Sequence, residues 1–207
     1  MESTALKIIP LNRNDIFASN SYLLFSDACI AVVDPSVSYE DACKSYPEVS
    51  DKNEKLVLLT HGHLDHFYEI YSYVNNGFEV IVSEEDSKIL SDITKNCAFM
   101  LNSDIDGYYG SVRTVSNGDL IHLGDAAIEV IATPGHTQGS VCYKIRNEIF
   151  TGDTLFADGG YGRFDLPTGN FVLLKHSLEY LLSLDGKFTI YPGHGAISTI
   201  EETRSFF

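Results

Sequence analysis

Thr60-His61-Gly62-His63-Leu64-Asp65-His66 puts three imidazoles and one carboxylate into the six positions 61 to 66. An apolar run, Lys55-Leu56-Val57-Leu58-Leu59, precedes it and has the length of a buried strand. Phe67, Ile70, Tyr71 and Val74 follow at three- and four-residue spacing, which predicts a helix. The ligand-type residues therefore span a strand end, a loop and a helix start. In an extended loop His61 and His63 point to the same side, and Gly62 permits a tight backbone. Asp65 and His66, offset at the helix start, aim elsewhere, so one short loop can serve two neighbouring metal ions.

The elements around this loop run in a mixed order. Leu6 to Leu11 reads as a first strand; Tyr22 to Phe25 and Ile30 to Val33 read as a hairpin turning at Ser26-Asp27. Asp34-Pro35-Ser36 ends that pair. Tyr39 to Tyr46 reads as a short helix before Pro47, and Asn75-Asn76-Gly77 stops the helix that runs on through Val74. Val80 to Val82 is a short strand, Glu84 to Leu90 a helix, and Ser91 to Gly110 a helix plus a surface excursion. Arg113 to Val115, Leu120 to Leu123, Ala127 to Ala132, Val141 to Ile145 and Glu148 to Phe150 form a run of short strands, with turn signals at Asn117-Gly118 and Arg146-Asn147. Phe171, Leu174, Leu178 and Leu181 give one apolar helix face; Phe188 to Tyr191 is a final strand, and a last helix begins at Ile200. Two mixed sheets packed face to face with helices outside satisfy this order. No repeat or linker interrupts the chain, so residues 1–207 are expected to form a single domain.

Three more ligand candidates sit where a strand runs into a turn beside glycine. They are His136 in Thr133-Pro134-Gly135-His136, Asp153 in Thr151-Gly152-Asp153-Thr154, and His194 in Pro192-Gly193-His194-Gly195. Singly, a loop histidine is more often a surface or hydrogen-bonded residue, and an aspartate after glycine a turn residue or helix cap. Together they are a set: five of the seven histidines fall in such settings. His122 lies in a strand-like run, and His176 lies about 200° round its helix from Leu174, so both read as non-ligands. Counting gives His61, His63 and His136 for one ion and Asp65, His66 and His194 for a second, with Asp153 able to bridge them. Imidazole and carboxylate donors suit zinc, with iron or manganese also accepted. Two such divalent ions activate water and polarise a carbonyl or phosphoryl oxygen, so the natural reaction is metal-assisted hydrolysis. Asp65 is the candidate to orient or deprotonate that water.

Composition narrows the partners. The chain has 14 Lys plus Arg against 29 Asp plus Glu, a formal net charge of −15 over 207 residues. That charge opposes nucleic acid and anionic membranes and leaves a small-molecule substrate as the expected partner; the oligomeric state is not legible. The four cysteines, Cys29, Cys43, Cys97 and Cys142, form no CxxC pair and read as thiols in a reducing compartment. Met1-Glu2-Ser3-Thr4-Ala5-Leu6-Lys7 shows no signal-peptide pattern, and no apolar run approaches the ~18 residues of a membrane span, so the expected location is the cytoplasm.

The HxHxDH loop, His136, Asp153 and His194, in this order, resemble the metallo-β-lactamase-fold superfamily over nearly the whole chain. The resemblance implies a four-layer αββα sandwich of two mixed β-sheets with external helices, an α/β (α+β) class, and the ligand division counted above. Asp34, in Val32-Val33-Asp34-Pro35, matches the family's first motif, which supports the metal loops without ligating. Gly152-Asp153-Thr154-Leu155-Phe156-Ala157 and Gly162-Arg163-Phe164-Asp165-Leu166-Pro167 resemble compact glyoxalase II-like hydrolases, similar to hydroxyacylglutathione hydrolase, which cleaves the thioester of S-lactoylglutathione. Longer glyoxalase II enzymes bind glutathione partly through a C-terminal helical domain, whereas only 13 residues follow His194 here. β-Lactamases of the main group have cysteine where Asp153 stands. The rival implied reading is a mononuclear iron persulfide dioxygenase, whose ligands map to His61, His136 and Asp153; a metal-binding protein without catalysis is the third.

Overall fold

The computed structural model describes residues 6–11, 19–101 and 103–207. Its first sheet has six strands in the order β1 (Lys7–Leu11), β2 (Ser21–Phe25), β3 (Cys29–Val33), β4 (Glu54–Leu58), β5 (Glu79–Ser83) and β6 (Arg113–Val115). Strands β1 to β3 pair antiparallel, and β3 to β6 parallel. The second sheet runs β7 (Leu120–Leu123), β8 (Ala126–Ala132), β9 (Val141–Ile145), β10 (Glu148–Gly152), β11 (Thr189–Pro192) and β12 (Ser198–Thr199); only β10 and β11 pair parallel. The helices are α1 (Tyr39–Ser45), α2 (Leu64–Phe67), α3 (Ile70–Val74), α4 (Glu84–Ser87), α5 (Phe171–Ser183) and α6 (Ile200–Arg204).

Strand alternation creates the layers. Side chains of period two point to opposite faces. In β2, Tyr22 and Leu24 face the second sheet and meet Ile128, Val130, Tyr143 and Phe150, while Leu23 and Phe25 face the helices. The outer side of the first sheet packs on Ala42, Leu64, Phe67, Ile70 and Tyr73, and that of the second on Leu174, Leu178, Leu181 and Ile200. Buried on both faces, the central strands read as continuous apolar runs, as β3 does in full and β2 does from Tyr22 onward. The expected four-layer αββα sandwich is the observed fold.

Several expectations change in detail. The helix expected from the ligand loop through Val74 is two helices, α2 and α3. At the break Glu69 donates its N–H to Pro35 O at 2.9 Å, and Ser19 Oγ donates to the freed Asp65 carbonyl at 3.0 Å. Helix α4 stops at Ser87 instead of Leu90, because Lys88 and Ile89 bond three residues back in tighter turns. Ser91 to Gly110 holds no α-helix among its described residues, only a 3₁₀ turn at Ala98–Met100. Asn96, fully buried, pins this excursion: its Nδ2 donates to Leu90 O and Asp106 O, and its Oδ1 accepts from Ala98 N. Phe188 to Tyr191 is not the last strand, since β12 follows β11 and pairs with it antiparallel. Phe171 leaves the apolar face of α5 and is exposed, its ring 4.7 Å from that of Phe164. The signal-peptide reading rests largely on residues 1–5, outside the described ones. No helix among the described residues is long and apolar enough to cross a membrane.

Candidate metal centre

Four strands deliver the seven candidate ligands from their C-terminal ends: β4 runs into His61, His63, Asp65 and His66, β8 into His136, β10 into Asp153 and β11 into His194. The structure brings all seven together. His136 Nε2 lies 2.9 Å from His63 Nδ1 and 3.1 Å from His61 Nε2, so three ring nitrogens converge. On the other side, His194 Nε2 lies 3.4 Å and His66 Nε2 3.6 Å from Asp65 Oδ2. Asp153 stands between the two groups. Its Oδ2 is 3.5 Å from His136 Nε2, and its Oδ1 is 3.3 Å from His66 Nε2 and 3.6 Å from His194 Nε2. His61/His63/His136, His61/His66/Asp153 and Asp65/His66/His194 are each compact enough to hold one ion. His122 and His176 are exposed and belong to no such group, as expected.

Hydrogen bonds behind the rings orient the converging nitrogens. His136 Nδ1–H donates to Arg163 O at 2.7 Å, since a carbonyl only accepts, and this leaves Nε2 with its lone pair. Asp34, at the end of β3 with φ of 50°, accepts from Thr60 N and Thr60 Oγ1 and, at 2.9 Å, from His66 Nδ1. The Thr60 hydroxyl, having donated to Asp34, is left to accept from His61 Nδ1 at 3.1 Å. This is the arrangement that fixes metal-ligating tautomers. Inside the cluster His66 Nε2 and Asp153 Oδ1 are buried with no hydrogen-bond partner, as is the outer nitrogen of His63, Nε2. Buried polar atoms without partners are costly, and donors aimed at a common point fit a cation.

Charge follows the same division. Burial, reinforced by neighbouring imidazoles, pushes His61 well below the ordinary histidine range and His63 down to about 3, so both are neutral donors. Burial also disfavours charge on His66 and His194, but Asp65 and Asp153 outweigh it and hold both above the usual value. Asp153 is held low by His66 despite its burial.

Two features escaped the sequence. Asp86, 1% exposed, accepts from Gly62 N at 2.8 Å and Thr137 Oγ1 at 2.6 Å through one oxygen, and from Gly139 N at 2.8 Å through the other. It ties the His61–His66 loop to the His136 loop, and burial raises its carboxyl above the ordinary range. In sequence it looks like an acidic first-turn residue behind the Ser83 cap, which it also is. The second is Cys97, held at φ of 61°, which brings itself, Met100 and Leu101 to the mouth of the cluster. Arg163 also reaches that mouth, with its guanidinium held by both oxygens of Asp165 at 2.9 and 2.8 Å. Gly193 is required where β11 passes the cluster, because a Cβ there would overlap Asp153 Oδ1 and His66 Cε1.

Two mixed sheets between helices, with histidine and aspartate gathered at one end, define a metallo-hydrolase class of protein. The sequence profile of the metallo-beta-lactamase superfamily matches residues 14–194, and the chain belongs to that family. Hydroxyacylglutathione hydrolase GloC of Haemophilus influenzae is 34% identical over 97% of this chain and 95% of its own. Among solved structures, BLEG-1 B3 metallo-beta-lactamase superposes with a TM-score of 0.82 at 27% identity, covering 97% of each chain. TTHA1623 in a di-iron-bound form superposes at 0.81 with 26% identity, covering 94% of this chain and 96% of that one.

Proposed function

We propose that this chain is a binuclear metal-dependent hydrolase that cleaves small acyl thioesters in the manner of glyoxalase II, S-lactoylglutathione being the reference substrate. One observation carries the reading: Asp153 turns one carboxylate oxygen toward His136 and the other toward His66 and His194, so a single residue joins two donor sets. The likeness to GloC over nearly both full lengths supports the thioester, and the di-iron form of TTHA1623 supports two ions. His61, His63 and His136 would hold one ion, Asp65, His66 and His194 the other, and Asp153 both; zinc fits these donors, as do iron and manganese.

When bound, such ions lower the pKa of water toward neutrality and polarise a carbonyl oxygen. The chain's own residues do the rest. Asp34 and the Arg163 carbonyl keep His66 and His136 in one tautomer. Asp65, its carboxyl held low by His66 and His194 against the effect of burial, orients the attacking water and takes its proton. Water adds to the thioester carbon, the C–S bond breaks, and the departing thiolate takes up the proton, giving a carboxylic acid and a thiol. The reading is tested by counting metal per chain and assaying S-lactoylglutathione hydrolysis beside oxygen uptake with glutathione persulfide and cleavage of a β-lactam. Near two metals with thioester cleavage supports it. One iron with oxygen consumption, or β-lactam cleavage without thioester cleavage, overturns it. His66→Ala is expected to remove one ion and nearly all hydrolysis.

A further inference from the structure

The cluster opens into a cavity of about 230 Å³ whose lining has two chemically distinct sides. One is the histidine and aspartate set. The other consists of Cys97, Met100, Leu101 and Leu166, with Arg163 at its edge. Among the described residues of that second side the one charged group is the Arg163 guanidinium, which Asp165 engages through Nε and Nη2, and Cys97 is a buried thiol outside any disulfide, a small apolar group in effect. Three of the four are aliphatic or thioether side chains, and Met100 and Leu166 are partly accessible, so a bound group covering them gains buried apolar area.

Resting on the thioester reading above, we infer that this wall seats the acyl group of the substrate, and that the site selects thioesters of short apolar acids of about four to six carbons, leaving the thiol carrier outside. Size decides between the two halves of the thioester. Pockets that enclose drug-sized ligands run from roughly 300 to 1,000 Å³, and this one is smaller, too small for a tripeptide carrier. At roughly 30 Å³ for a water-sized group, a four- to six-carbon acyl chain fits beside the reacting carbonyl. A lactoyl group would cover less of the wall and set its hydroxyl against carbon and sulfur.

The experiment uses the metal-loaded full chain and two series: acetyl, butyryl, hexanoyl and lactoyl thioesters of glutathione, and butyryl thioesters of glutathione and of uncharged N-acetylcysteamine. We expect kcat/KM to rise about threefold per methylene from acetyl to butyryl, near the value of burying one CH₂, with butyryl-glutathione exceeding S-lactoylglutathione at least tenfold and the change of carrier altering kcat/KM less than threefold. Leu166→Ser is expected to lower the hexanoyl-to-acetyl ratio, a quantity that a general loss of activity does not move. Hydrolysis with a flat acyl series, with lactoyl above butyryl, or with carrier mattering more than acyl chain overturns the inference and leaves thioester hydrolysis standing. Failure to cleave any thioester overturns the reading beneath it and the inference with it.

Discussion

His66 Nδ1 stands 2.9 Å from Asp34 Oδ2, and this contact decides which nitrogen of His66 faces the cluster. A carboxylate only accepts, so Nδ1 keeps its hydrogen, and Nε2, beside Asp65 and Asp153, is the nitrogen that can give up its proton and offer a lone pair to an ion. The same aspartate holds the Thr60 backbone and hydroxyl, and through that hydroxyl His61. One buried side chain that touches no substrate thus sets two rings.

Asp34→Asn tests this separately from folding. Asparagine has nearly the same shape, and its oxygen accepts from Thr60 N as before. Its NH₂ meets His66 Nδ1 as a donor, which forces the hydrogen of His66 to Nε2 and removes the donor facing the cluster. Metal affinity in the set containing His66 is expected to fall about 10- to 100-fold, with a smaller fall in the His61/His63/His136 set, because the Thr60 hydroxyl that holds His61 loses the same acceptor oxygen. Competition with a coloured chelator measures both. Unchanged affinity at two sites would show that the tautomer of His66 does not depend on Asp34.

Much of this centre was legible because the chain writes each ligand in the same grammar. His136, Asp153 and His194 each follow a strand and sit next to glycine, and the HxHxDH loop supplies the rest within six positions. The layers were legible because β3 throughout, β2 from Tyr22 and β4 from Leu56 are apolar on both faces, as a sheet covered on both sides requires. What stayed hidden depends on partners far away in sequence. Helix α2 breaks because the N–H of Glu69 goes to Pro35, and no local propensity announces that bond. The excursion after Ser91 is ordered by the three hydrogen bonds of the Asn96 amide, one of them to Asp106, and only that ordering brings Cys97 and Met100 to the mouth.

Asp86 is the other hidden member, and its removal is predicted to act on two loops at once. Asp86→Ala leaves the Gly62 and Gly139 N–H groups buried without acceptors, at a cost of about 1–3 kcal/mol for each group. The predicted loss of stability is about 2–4 kcal/mol in urea unfolding of the metal-free protein. In the metal-loaded protein both ions are expected to bind more weakly, because Gly62 lies between His61 and His63, and Thr137 beside His136. A loss confined to one ion, with stability unchanged, would contradict the tie between the loops.

Alkaline pH gives a prediction whose sign follows from burial. Burial pushes the Cys97 thiol up to about 11 and that of Cys142 to about 12, and it also raises the phenols of Tyr22 and Tyr143. In the unfolded chain a thiol ionises near 8.5 and a phenol near 10. Below about pH 8.5 these groups are protonated in both states, and the stability they carry is fully present. As pH rises the unfolded chain loses its protons first, so stability falls with pH until the folded groups ionise as well. The window runs from about pH 9 to about pH 12. Cys142, fully buried, contributes on the order of 2 kcal/mol of that loss by pH 10.5, which corresponds to about 1 M in the urea midpoint. Unfolding of the metal-free protein at pH 8 and pH 10.5 checks the drop, and Cys142→Ala, which cannot ionise, should show a smaller one. Equal midpoints at the two pH values would mean that these thiols and phenols ionise as readily in the fold as outside it.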